Sequence, residues 1–220
     1  MPRYLTIRVA LILLSLALLT WPARAQDELS APDETTQQAL LYFNKGERLE
    51  RSGSYEEAVK AYQEAIKIKP DLAEAYHNLG LAYARLNQYP EAMKALKDAI
   101  RLKPQWSQAH ENLGVAYAKM GRWSEAMLEF KEAAQRHPED AEAQYNLGLA
   151  YGKLGRHQEA REAFIQALRL QPDLAKAHKN LGMVLHELGK IDEADAEDRQ
   201  AKRLARSAAR TGNGLGDDTH

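Results

Sequence analysis

From residue 39 to residue 208 the apolar positions fall three and four apart, in stretches that are each long enough for a short helix. The stretches end in two alternating ways. One kind runs into Gly53, Asn87, Gly121, Gly155 or Gly189; the next runs into Pro70, Pro104, Pro138 or Pro172. Glycine and asparagine tolerate the left-handed backbone at which helices commonly finish, and proline cannot continue a helix. The pattern therefore predicts helical hairpins, two helices joined by a tight turn and separated from the next pair by a proline.

The hairpins are copies of one another. Gly46, Gly80, Gly114, Gly148 and Gly182 are 34 residues apart without a slip, and Ala58, Ala92, Ala126, Ala160 and Ala194 keep the same interval. The texts YHNLGLAYARLNQYPEA, HENLGVAYAKMGRWSEA and QYNLGLAYGKLGRHQEA run in register with them. Five units result: 39–72, 73–106, 107–140, 141–174 and 175–208. Gly80 and Ala92 are read as small because paired helices approach closely there, as are Gly114 and Ala126 one unit on. Leu79, Tyr83 and Ile100, and then Leu113, Tyr117 and Phe130, are read as core without chemistry. This repeat resembles the tetratricopeptide family. The resemblance implies an all-α, right-handed α-solenoid of five tetratricopeptide helical hairpins, ten helices in all, with the first helix of each hairpin lining a concave face. Asp195 and Asp198 stand where earlier units place apolar residues, which suits a final helix that ends the array in water.

Composition adds boundaries. Arg3 and Arg8, an apolar run from Val9 to Leu19 broken only by Ser15, and Ala23-Arg24-Ala25 read as a cleavable signal peptide over 1–25. Cleavage removes three arginines and no acid, leaving 27 − 31 = −4 in formal charge. A mildly acidic chain without a basic block offers no electrostatic case for nucleic acid or an anionic membrane. The absence of cysteine excludes disulfides, thiolate metal sites and a lipid-modified cysteine. Residues 26–38 and 209–220 are small and polar and are expected to be a disordered linker and tail. The expected location is the periplasm, or alternatively outside the cell.

Candidate binding residues lie on the first helices. Asn44, Asn78, Asn112, Asn146 and Asn180 give one asparagine per unit, and asparagine is a mediocre helix former. The row resembles the asparagine ladder in the repeat domain of O-linked N-acetylglucosamine transferase, which implies a grip on the backbone of an extended peptide. The other reading is a bond between neighbouring helices. Leu81, Val115, Leu149 and Met183, with Glu47 in the first unit, form an apolar strip beside it. Phe43, His77, Glu111, Tyr145 and Lys179 form a further row, with Phe43 and Tyr145 expected as exposed anchors. Arg51, Arg85, Lys119 and Lys153 end their helices, where a cation complements the helix dipole.

The histidines show no metal spacing, and no phosphate loop or nucleophile elbow is present, so no cofactor and no enzyme activity are expected. His110 and His178 are expected to pack. The function read from the sequence is a protein-interaction scaffold whose groove takes a peptide-like segment of another protein. The alternative is a structural protein that self-assembles as a homo-oligomer through its ends or convex faces.

Overall fold

A computed structural model describes residues 33–213. The expected signal peptide, residues 26–32 of the linker and residues 214–220 of the tail lie outside them. Ten helices follow one another, and no strand is present among the described residues. They are α1 Glu34–Arg51, α2 Tyr55–Ile68, α3 Ala73–Arg85, α4 Tyr89–Leu102, α5 Ser107–Lys119, α6 Trp123–Arg136, α7 Ala141–Lys153, α8 His157–Leu170, α9 Ala175–Glu187 and α10 Ile191–Asn213. Each packs on the helix before and after it, and contacts reach no further than the adjoining unit. That is the nearest-neighbour logic of a solenoid.

Each odd-numbered helix ends in the predicted way. Gly53, Gly121, Gly155 and Gly189 have φ between 72 and 79°, and Asn87 has φ 59°. The amide two residues beyond the C-cap then reaches back, for example Arg122 N to Tyr117 O at 3.0 Å and Gln88 N to Tyr83 O at 2.9 Å. These bonds satisfy carbonyls that the helix would otherwise leave open. A Cβ at Gly121 would meet nothing within 4 Å, so the cost of a side chain there is backbone strain alone. Gly121→Ala is expected to lower stability by about 1–2 kcal/mol, measurable by urea denaturation.

The 34-residue glycines serve packing instead. A Cβ on Gly114 would lie 2.6 Å from the Phe130 ring, one on Gly148 2.7 Å from Phe164, and one on Gly80 2.6 Å from Leu96. Each second helix thus drives one large side chain against the bare backbone of the first. In the last unit the partner of Gly182 is the carboxylate of Asp198.

Both ends of the described chain are more helical than expected. Residues 34–38, expected within a linker, open α1: the Asp33 side chain accepts from Thr36 N at 2.6 Å and Glu34 complements the helix N-terminus. Residues 209–213, expected within the tail, continue α10, because the segment from Ala201 to Arg210 is rich in alanine and arginine, which favour helix.

Candidate functional site

Successive first helices approach one another across the units, α1 with α3, α3 with α5 and α7 with α9; successive second helices do not come as close. The first helices therefore occupy the inside of the curve.

The asparagine row runs along this inner face. Asn112 Nδ2 donates to His77 Nε2, Asn146 Nδ2 to Glu111 Oε1, and Asn180 Nδ2 to the Tyr145 hydroxyl oxygen, each at 2.9 Å. Every bond spans 35 positions, from an asparagine to the residue just before the asparagine of the preceding unit. Three of the five asparagines thus tie neighbouring first helices together through the amide nitrogen. Asn78 has Phe43 at the corresponding place, which offers no acceptor; its Oδ1 instead accepts from His77 Nδ1 at 3.2 Å. Asn44 is exposed on the first helix. Since His77 Nε2 accepts from Asn112, its proton sits on Nδ1. Burial holds its pKa below the usual histidine value, with the Asn78 contact and the Glu50 and Glu74 charges opposing.

The row just before the asparagines corrects an expectation. Tyr145 is 8% exposed and is no open anchor. Its ring is tilted against Phe164 at 5.8 Å, and Lys176 Nζ lies 4.3 Å from its centroid. His77 is also 8% exposed and is stacked on Trp106 at 4.4 Å. Phe43 is half-buried against Tyr62, at 5.8 Å. Phe43 and Tyr145 pack on the second helix of their own hairpin, and the asparagine of the next unit adds a hydrogen bond to His77 and to Tyr145. Burial raises the pKa of Tyr145, helped by Glu142 and opposed by Asn180. Burial also raises Glu111, and the Asp140 charge adds to it, while the hydrogen bond from Asn146 opposes it.

The apolar strip stays open. Met183 is 57% and Val115 37% exposed, and Leu81 and Leu149 are half-buried. Two notches of about 250 Å³ each open along it. One lies between the second and third units, bounded by Leu81, Val115, Asn112 and Leu96. The other lies between the fourth and fifth, bounded by the corresponding Leu149, Met183, Asn180 and Phe164. Gly152 and His157 help line the second notch. At the same register one unit earlier stand Ala118 and Trp123, and Lys153 Nζ lies 5.9 Å from the Trp123 ring. Of the basic row, Arg85, Lys119 and Lys153 are exposed in the last turns of α3, α5 and α7, as the dipole argument expects.

Two polar ties escaped the sequence reading. His110 Nδ1 meets Glu129 Oε2 at 2.8 Å and Nε2 meets the Pro104 carbonyl at 3.1 Å. His178 repeats this with Glu197 and, at 3.0 Å, the Pro172 carbonyl. A signal existed: glutamate stands 19 residues after the histidine in these two units, where Ala61, Ala95 and Ala163 stand in the others. His77 and His110 turn to different partners.

The family model described as the cilia and flagella-associated protein 70 C-terminal domain matches residues 20–214. No curated protein matches the sequence. Among solved structures, MamA (41-end) from Desulfovibrio magneticus RS-1 aligns with a TM-score of 0.74 at 28% identity, covering 80% of this chain and 98% of that one. A further MamA crystal structure gives 0.72 at 25% identity, covering 75% and 96%. YrrB, described as a TPR protein with an unusual peptide-binding site, gives 0.69 at 22% identity, covering 79% and 93%, a likeness of fold.

Proposed function

Because the chain belongs to the tetratricopeptide-repeat proteins, in the family of the cilia and flagella-associated protein 70 C-terminal domain, we propose that it is a non-enzymatic scaffold holding an extended segment of another protein along the inner face. The observation that carries this reading is the pair of equivalent notches, apolar at the base and edged by an asparagine. Each notch takes one apolar side chain. The notches are two units apart, roughly 16–20 Å at ordinary helix spacing, which is about five to six residues of extended chain. With the amide nitrogens of Asn112 and Asn180 committed to His77 and Tyr145, their amide oxygens serve as acceptors for ligand N–H groups. The asparagine row thus serves the helix joints and the groove together. The signal peptide expected from residues 1–25 is what supports the periplasm as the protein's location.

A displayed library of extended peptides tests the groove. The parent is expected to select sequences with apolar side chains at the notch spacing. The double variant Val115→Glu/Met183→Glu alters exposed side chains and is expected to weaken the selected peptides at least about tenfold, about 1.4 kcal/mol. Equal binding by parent and variant would remove the groove from the account.

A further inference from the structure

At the four internal joints of the solenoid the same positions meet. Second-helix residues Val59 and Tyr62 share one buried cluster with first-helix Leu79 and Ala82. Met93 and Leu96 do so with Leu113 and Ala116, and Phe130 with Leu147 and Ala150. Phe164 does so with Leu181 and Val184. Carried one step further in each direction, the register names what the two free ends present. On α10 the positions of Met93 and Leu96 are held by Asp195 and Asp198. On α1 the positions of Leu113 and Ala116 are held by Lys45 and Arg48. One end thus carries two acids and the other two bases: Asp198 stands at a place that is buried at every internal joint, and Asp195 at one held by Val59, Met93 and Met127 at three joints and by Arg161 at the fourth.

We propose that these ends dock head to tail on a second copy of this chain, in the geometry of an internal joint, with Asp198 facing Lys45 and Asp195 facing Arg48. Lys45, Arg48 and Asp195 are exposed. Among the described residues those three form no ion pair, and Asp198 reaches only His186, at 3.9 Å. Charges placed solely to keep the ends in water need no particular sign; opposite signs in matched register are what pairing requires. The helix lengths fit as well. In an internal joint the second helix stops at a proline and the first helix of the next unit starts close by. Here α10 runs on past the place of Leu170 to Asn213, and α1 begins five residues before the place of Ala73. Both extensions lie at the same edge of the joint and would run antiparallel. The α10 extension brings the exposed Arg206 to the edge where α1 carries Asp33 and Glu34. The apolar residues of an ordinary joint are missing, so the association is weak and sensitive to salt, and it extends into rows because a head-to-tail contact leaves an end open. This inference concerns the ends and stands independently of the groove.

Sedimentation velocity on protein purified from cells expressing the full chain tests it, over about a hundredfold range of concentration and at about 20 and 500 mM salt. The parent is expected to grow in mass with concentration at low salt, and the association constant to fall at least tenfold at high salt. Lys45→Glu/Arg48→Glu and Asp195→Lys/Asp198→Lys are each expected to stay monomeric, with unchanged circular dichroism. Mixed in equal amounts, they are expected to associate again, since each reversed end then meets its complement. A parent that remains monomeric at low salt, variants that associate like the parent, or a mixture that fails to recover would each overturn the proposal.

Discussion

Replacing Phe164 by alanine is expected to destabilise the protein by about 3–5 kcal/mol, the range for deleting a buried aromatic ring, as measured by chemical denaturation. The ring is 1% exposed and shares a cluster with Ala160, Ala177, Leu181 and Leu185, so it joins the fourth unit to the fifth. It also lies over Gly148, where the absence of a Cβ lets ring and backbone touch. Collapse cannot recover the loss, because both helices are held by their other neighbours. The loss falls on a joint of a quasi-one-dimensional array, so protection from hydrogen exchange should drop first in α8 to α10. Phe164→Leu is the internal control. Leu96 fills the same place in the second unit, against Gly80 at a comparable distance, so leucine should cost less than about 1.5 kcal/mol. A leucine variant as unstable as the alanine one would show that ring shape, and not filled volume, secures the joint.

The residues that were legible in the sequence are those whose role is set within one hairpin. Gly53, Asn87 and Gly121 needed only the knowledge that a helix ends there, and the left-handed backbone follows from residue type. Gly114 and Phe130 needed only the repeat. What stayed hidden depends on the next unit. The asparagine row was visible, but its partners lie 35 positions away on a separate helix, and only the stacking of units brings Asn180 to the Tyr145 hydroxyl. The same stacking adds these bonds to Tyr145 and His77, which helical periodicity alone places on an open face. Helix extent at the two ends is hidden for another reason. Small polar residues suggest disorder there, although Asp33 is a capping residue and the stretch around Leu204 has high helix propensity.

Glu129→Ala is expected to cost about 2–3 kcal/mol, in a pH-dependent way, because it strips a buried histidine of a charge-assisted hydrogen bond. His110 is 7% exposed, and both of its nitrogens face acceptors, the Glu129 carboxylate and the Pro104 carbonyl. A neutral imidazole has one N–H for the two of them, whereas the imidazolium serves both. The Glu129 hydrogen bond accordingly raises the pKa of His110 above its ordinary 6.5; burial works against this, the Pro104 contact and the Glu129 charge assist, and the Arg136 charge opposes. A base whose pKa is raised on folding contributes its full stabilisation below the unfolded value, and loses it as pH rises through the folded value. The difference between parent and variant should therefore be greatest below pH 6.5 and shrink above the folded-state pKa. His77 works in the opposite sense, since its lowered pKa makes stability fall as pH drops below 6.5, but it is common to both proteins and cancels in the difference. The double variant His110→Tyr/Glu129→Ala recreates the pairing of Tyr76 with Ala95 in the second unit. It should recover part of the lost stability and show no share of the pH dependence. If the single variant instead loses the same amount at every pH, the tie acts through packing, and the charge on His110 contributes nothing.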